Sequence, residues 1–169
     1  EEMKLHQPSD LLNRDTVDEL LGREGIANSK KSAPANMRLV QWLNGRESKF
    51  DQMLLQADAS WSRWSERCIR QADRVVVVAD ARSRPDLAAV QKRLAKFPLP
   101  WSLVLVHPAE TTRPTQTARW LEGSSARQAY HIRRGNTGDM ARLGRILSGR
   151  AVSLVLGGGG ARGFAHLGV

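Results

Sequence analysis

The residues best suited to chemistry are four consecutive glycines, 157–160, which are followed by Ala-Arg-Gly. The apolar run before them, residues 151–156, predicts a buried strand, and residues 161–169 predict the start of a helix. Glycines in such a turn let several backbone N–H groups point towards one spot without obstruction by side chains. The loop is therefore suited to binding an anion, or to stabilising negative charge that develops on a carbonyl oxygen.

Three interpretations of this glycine loop stay open on the residues alone. Gly158, Gly160 and Gly163 fit the G-x-G-x-x-G dinucleotide fingerprint, whose acidic partner is expected about 20 positions further on. The loop also fits an oxyanion hole, and it fits a tight turn without a ligand. A P-loop does not fit, because Phe164 and Ala165 stand where Lys and Ser or Thr are required.

Several strands must precede the glycine loop and position it. Short apolar runs of the kind found in parallel sheets covered on both faces occupy residues 50–57, 74–79, 101–106 and 129–133. Helical patterns lie between these runs, and strands that alternate with helices indicate βαβ units. The sequence therefore predicts the α/β fold class with a parallel sheet.

The helical patterns have recognisable ends. Ser60 is the predicted N-cap of a helix that carries Trp61, Trp64 and Cys68 on one face. Pro85 is expected in the first turn of another helix. Thr137 is the predicted cap of a third, which ends at Gly149.

Two further helices are predicted upstream of these, within residues 16–21 and 37–43. The domain is thus expected to open with a helix, and its first strand to lie before Glu1. We assign residues 1–148 to this α/β domain and residues 149–169 to the start of a second domain.

Composition narrows the function classes. The chain has 169 residues and a formal net charge of +9, which favours anionic partners. The arginines are spread along the chain and accompany no nucleic-acid motif, so nucleic-acid binding is not expected. No apolar run approaches the roughly 20 residues of a membrane-spanning helix. Cys68 is the single cysteine and predicts a buried apolar residue in a reducing compartment.

The C-terminal segment carries a family resemblance. SGRAVSLVLGGGGARGFAHLGV resembles the opening of a patatin-like phospholipase domain, specifically that of the neuropathy target esterase group and its bacterial relatives. The resemblance implies a patatin-like α/β hydrolase domain, of which only the first strand, the glycine loop and the start of a helix are present. It also implies an oxyanion hole formed by Gly158, Gly159, Gly160, Arg162 and Gly163.

The resemblance extends upstream. The segment from residue 50 to residue 86, including the run WSERCIRQAD, resembles the α/β region that precedes the lipase domain in these esterases. That region in turn resembles MinD-like P-loop ATPases, which implies that Asp58 stands where a magnesium-linked carboxylate belongs. We expect a structural or regulatory role for this Rossmann-like or MinD-like domain, and no cofactor.

Patatin-like enzymes use a Ser–Asp dyad whose serine lies in a G-x-S-x-G elbow. The sequence has no such elbow, and the nearest approach, residues 123–127, predicts a turn. The nucleophile and its aspartate are therefore expected beyond Val169, and residues 1–169 alone are expected to be inactive. His166 is expected to pack within the loop, and His107 and His131, which have no metal-ligand spacing, are expected to be structural.

The resemblance implies that the parent protein is a serine esterase of phospholipids or lysophospholipids. It implies a cytoplasmic or peripherally membrane-associated protein, with domains upstream of Glu1 that could bind cyclic nucleotides. The alternative is a non-catalytic α/β regulatory or nucleotide-binding module whose glycine loop binds phosphate.

Overall fold

A computed structural model describes residues 9–151. Strands and helices alternate along this part of the chain: β1 (Ser9–Leu12), α1 (Arg14–Leu20), α2 (Pro34–Glu47), β2 (Gln52–Leu55), α3 (Arg63–Gln71), β3 (Val75–Asp80), α4 (Ala88–Leu94), β4 (Trp101–His107), α5 (Thr117–Leu121), β5 (Gln128–Arg133) and α6 (Thr137–Leu147). The predicted α/β class is confirmed, and each of the four predicted strands is present in this part of the chain.

The strands form two parallel sheets. One has the order β1–β2 with Leu11 opposite Leu54, and the other has the order β3–β4–β5 with Val104 between Val78 and Tyr130. β4 is the most deeply buried of the strands described, because it has a neighbour on each side and helices cover its apolar side chains. Among residues 9–151, β2 pairs only with β1, and β3 pairs only with β4.

The prediction that the domain opens with a helix is wrong. β1 precedes α1 and ends one residue before its N-cap, Asn13, whose side chain accepts a hydrogen bond from the Thr16 backbone N–H at 2.8 Å. The four residues of β1 begin with a polar pair and show no alternation of their own. Their strand conformation depends on parallel pairing with β2, some 40 residues further along the chain.

α3 joins two hydrophobic cores. Trp64 and Cys68 pack in the core beneath β1 and β2, whereas Ile69 packs with the side chains of the second sheet. The predicted cap is displaced by two residues: Ser62, not Ser60, accepts the Ser65 backbone N–H and caps the helix. Trp61 therefore precedes α3 and is 39% exposed, while Trp64 is fully buried.

Two other predicted helix ends also shift slightly. Asn136 rather than Thr137 caps α6, because its side chain accepts the Asp139 backbone N–H at 2.9 Å. Gly149 follows the helix with a φ of +73°, as expected of a glycine stop. Pro85 lies before α4 instead of in its first turn, since that helix begins at Ala88.

Within the described part of the chain, no helix combines the length and the apolar character needed to cross a bilayer.

Candidate functional site

The predicted oxyanion-hole residues lie outside the described range. Gly158, Gly159, Gly160, Arg162 and Gly163 all follow residue 151, as does His166. Their assignment therefore stays a prediction from the sequence. The described residues offer three other places where polar side chains gather: Asp58, a histidine pair, and a cleft lined by arginines.

Asp58 lies just after β2, where the N-terminal ends of α1 and α3 also lie. Its carboxylate accepts a hydrogen bond from the Ser62 hydroxyl at 2.5 Å and lies 3.7 Å from the Arg14 guanidinium. A hydrogen bond to Asp15, and then the charge of Asp58, raise the pKa of Arg14 above its ordinary value. The side chain of Asp58 is only 17% exposed, so these protein partners fix its position.

This environment does not fit a magnesium site. The hydroxyl of Ser62 and the cation of Arg14 use the carboxylate that a divalent ion would need. No cluster of three or more His, Cys, Asp or Glu side chains suited to a metal occurs within residues 9–151. Asp58 instead holds the first residues of α3 against the end of β2.

The structure brings His107 and His131 together, although they are 24 residues apart in the sequence. His107 ends β4 and lies opposite Arg133, which places His131 on the same face of β5, two residues earlier. The His107 Nε2 and His131 Nδ1 atoms are 2.9 Å apart, and the other ring nitrogen of His131 lies 3.3 Å from the Thr117 hydroxyl. The two histidines and the threonine thus form a short hydrogen-bonded chain.

The surroundings of His131 favour its uncharged state. Burial, followed by the charges of His107 and Arg142, lowers the pKa of His131 below its ordinary value. One nitrogen of the short contact donates and the other accepts, so only one of the two carries the shared hydrogen. The sequence prediction treated these histidines as unconnected. His107 closes one apolar run and His131 lies within the next, and the parallel pairing of the two strands brings them together.

A cleft of about 520 Å³ opens at the carboxyl ends of β3 and β4. One wall is the loop that follows β3, with Arg82, Ser83 and Arg84, and the other is the segment from Thr111 to the first turns of α5. The buried indole of Trp120 and the ring of His107 form part of its lining. In open α/β sheets, ligands bind at this carboxyl edge.

Local hydrogen bonds fix the first wall. The Asp80 side chain accepts the Arg82 backbone N–H at 2.9 Å, and the Asp80 carbonyl oxygen accepts the Ser83 backbone N–H at 3.0 Å and its hydroxyl at 2.6 Å. Pro85 then restricts Arg84 to an extended backbone. Arg82 and Arg84 are therefore presented from a defined turn.

The second wall contains an unusual backbone conformation. Gln116 has a φ of +63°, and no other non-glycine residue among those described has a positive φ. Its side-chain oxygen accepts a hydrogen bond from the Arg119 guanidinium at 2.8 Å. A long side chain in the left-handed region is strained, and such strain is concentrated at functional sites.

Three arginines that the sequence analysis treated as scattered share this cleft. Arg82, Arg84 and Arg119 are all exposed there, and none of the described residues that line the cleft is an Asp or a Glu. Arg84 and Arg119 form no ion pair within residues 9–151. The cleft can therefore attract and hydrogen-bond an anion.

Cys68 is buried, as the sequence predicted. Burial raises the pKa of its thiol to about 12, so the reactive thiolate is not populated at neutral pH. Cys68 therefore packs in the first core and has no nucleophilic role.

Comparison with known proteins agrees with the resemblance seen in the sequence. The family model described as the Neuropathy Target Esterase family P-loop like domain matches residues 3–137. Patatin-like phospholipase domain-containing protein 6 of Homo sapiens is 31% identical over 190 aligned residues, which cover 96% of this chain and 14% of that protein. Lysophospholipase NTE1 of Yarrowia lipolytica is 30% identical, over 79% of this chain and 13% of that protein.

The chain thus spans about one seventh of the length of the curated relatives that it matches. No solved structure matches it. Because the family model covers most of the chain and a relative 30% or more identical covers nearly all of it, the chain belongs to the Neuropathy Target Esterase family and contains its P-loop like domain.

Proposed function

We propose that this chain is part of a serine hydrolase that cleaves carboxylic esters of phospholipids or lysophospholipids. Relatives over most of the chain are named as patatin-like phospholipase domain-containing proteins and as a lysophospholipase, which supports this reaction class. The observation that carries the proposal is the glycine sequence at 157–163, which follows the family-matched region in the same chain.

In the proposed reaction, a serine outside these 169 residues attacks the ester carbonyl and an aspartate accepts its proton. The backbone N–H groups of Gly158, Gly159 and Gly160 then hold the oxyanion of the tetrahedral intermediate. The intermediate expels the alcohol, which takes up the proton, and leaves an acyl-enzyme. Water hydrolyses this acyl-enzyme and releases the fatty acid. Arg162 and Gly163 complete the loop, with Arg162 bracing backbone carbonyls or facing the phosphate of the substrate.

The described α/β unit has a structural or regulatory part in this proposal. Asp58 is held by Ser62 and Arg14, and the Cys68 thiol is buried and protonated. The Thr117 hydroxyl lies 3.3 Å from the ring of His131, and no carboxylate among residues 9–151 hydrogen-bonds to the ring of His107 or His131. Residues 1–169 alone should therefore lack esterase activity.

The test is hydrolysis of lysophosphatidylcholine by the natural polypeptide that contains this chain. Gly159→Ala, which adds a side chain within the glycine loop, should lower kcat by about 100-fold, the usual effect of losing one oxyanion donor. Gly45→Ala is the matched control, because a Cβ at that exposed helical position meets nothing within 4 Å. Equal activity of the two variants would contradict the assigned oxyanion hole.

A fluorophosphonate probe supplies a second readout, since it labels an activated serine directly. The natural polypeptide should be labelled and the purified 169-residue chain should not. Labelling of the 169-residue chain, or ester hydrolysis by it, would refute the prediction that the nucleophilic serine lies outside these residues. A full-length polypeptide that neither labels nor hydrolyses, yet binds phosphate through its glycine loop, would favour the regulatory alternative.

A further inference from the structure

The residues that line the cleft at the carboxyl ends of β3 and β4 lie between Ala81 and Trp120, and none of them takes part in the proposed reaction. Its two walls come from the turn after β3 and from the segment that begins after β4. The parallel register places Asp80 opposite Val106, so the two strands end at the same edge and their following loops face each other. The pairing of the strands therefore builds the cleft from residues more than 25 positions apart.

Among the residues described, the lining of the cleft carries positive charge and no negative charge. Arg82, Arg84 and Arg119 contribute three cations, and the lining residues described include no carboxylate. Asp80, which precedes the first wall and does not line the cleft, lies 4.0 Å from Arg82 and 3.5 Å from Arg134. Arg84 has no acidic partner within residues 9–151, which leaves its guanidinium available to a ligand.

The lining also offers hydrogen-bond donors that suit phosphate oxygens. Thr111 and Thr115, which carry hydroxyls, line the same space as the arginines. Guanidinium groups bind phosphate through paired N–H donors, and hydroxyls supplement them. Gln116, in its strained left-handed conformation, holds Arg119 through a hydrogen bond of 2.8 Å and so orients this guanidinium in the wall.

From this arrangement we infer that the cleft binds a phosphate-bearing ligand, with Arg82, Arg84 and Arg119 as its charged contacts. The volume of about 520 Å³ accommodates a phosphate group together with part of the molecule that carries it. Trp120 and Pro85 give the cleft an apolar portion beside the arginines. The ligand chemistry is a phosphate ester or anhydride, carried either by a soluble compound or by a lipid headgroup. This inference does not depend on the proposed esterase activity.

The experiment measures binding to the natural polypeptide in two arms. Inorganic pyrophosphate, titrated by calorimetry, represents a soluble ligand. Phosphatidylcholine vesicles with and without phosphatidic acid, followed by co-sedimentation, represent a lipid headgroup. The site variant is Arg84→Gln with Arg119→Gln. The control is Arg23→Gln with Arg145→Gln, which removes the same charge from two exposed arginines that do not line the cleft.

We expect the site variant to weaken binding by about tenfold in at least one arm, since it removes two charge-assisted contacts that each contribute roughly threefold at an exposed site. The control should bind like the unmodified protein. An effect confined to pyrophosphate identifies a soluble ligand, and an effect confined to phosphatidic acid vesicles identifies a headgroup. Circular dichroism of each variant checks that the substitutions leave the fold intact.

Two results would overturn the inference. Equal weakening by the site and control variants would mean that net charge alone attracts the anion. Absence of binding in both arms would mean that the cleft holds no phosphate. Hydrolysis of p-nitrophenyl butyrate, an uncharged ester, is measured in parallel. If the unmodified protein does not hydrolyse this ester, the result counts against the proposed function and not against the phosphate site.

Discussion

The indole of Trp64 allows a quantitative test of how α3 is held. Its side chain is fully buried, and its Nε1–H donates a hydrogen bond to the Gln56 carbonyl oxygen at 2.9 Å. Trp64→Phe keeps most of the packing but removes this part-buried hydrogen bond, which costs about 0.5–1.5 kcal/mol. The smaller ring adds a void worth about 1 kcal/mol. The free energy of unfolding should therefore fall by about 1.5–2.5 kcal/mol, against a total of about 5–15 kcal/mol for a typical domain.

The assay is urea unfolding of the purified 169-residue chain, followed by circular dichroism. Trp61→Phe is the matched control, because Trp61 is 39% exposed and its ring contacts only the Arg93 guanidinium, 4.7 Å from the ring centroid, among the cationic groups described. This change should cost less than about 1 kcal/mol. Trp64→Ala removes the packing as well and should cost about 3–5 kcal/mol.

The three variants separate the hydrogen bond from the packing. If Trp64→Phe costs no more than Trp61→Phe while Trp64→Ala costs several kcal/mol, the bond to Gln56 contributes nothing and the reasoning about it is refuted. If Trp64→Ala lowers the free energy of unfolding only slightly, then Trp64 does not anchor α3 in the first core as its burial indicates.

Three shorter predictions concern other groups. Hydrogen bonds from Arg133 lower the pKa of Asp139 from 3.8 to about 2. The contribution of Asp139 to the stability of the fold is therefore complete above about pH 4 and is lost as the pH falls through 2. Asp139→Asn should lower the melting temperature at pH 7 but not near pH 2, and a difference independent of pH would argue against this ion pair. Gln116→Gly should raise the free energy of unfolding by about 1 kcal/mol, because glycine adopts a φ of +63° without strain, and a lower melting temperature would contradict that strain. Cys68 should react with a thiol reagent only after denaturation, and rapid labelling of the native chain would be incompatible with the burial that raises its pKa to about 12.

Sequence periodicity predicted the parts of the fold that are determined locally. β3 and β4 are continuous apolar runs, and such runs indicate buried parallel strands without any knowledge of their partners. β1 escaped prediction because four residues beginning Ser-Asp acquire their strand conformation from β2. The cap of α3 was placed two residues early because Ser60 and Ser62 are chemically equivalent, and only the geometry of the turn selects Ser62.

The cleft and the histidine pair were missed for a related reason. Arg84 and Arg119 are 35 residues apart, and nothing in their local sequence distinguishes them from other surface arginines. Both features arise from the parallel register of β3, β4 and β5, which aligns the ends of the strands. Pairing of distant segments is the information that a single sequence does not provide.

The one-sided pairing of β3 has a consequence for handling the protein in solution. The strand reads VVVVAD, and Val78 is 63% exposed although it belongs to a run of high β propensity. The backbone edge of β3 that does not face β4 pairs with no other strand among residues 9–151, so it is a template for a strand of another copy. Arg74 and Asp80 flank the run, and charged residues in such positions typically oppose pairing between copies. Neutralising either charge should therefore lower the concentration at which the chain begins to aggregate.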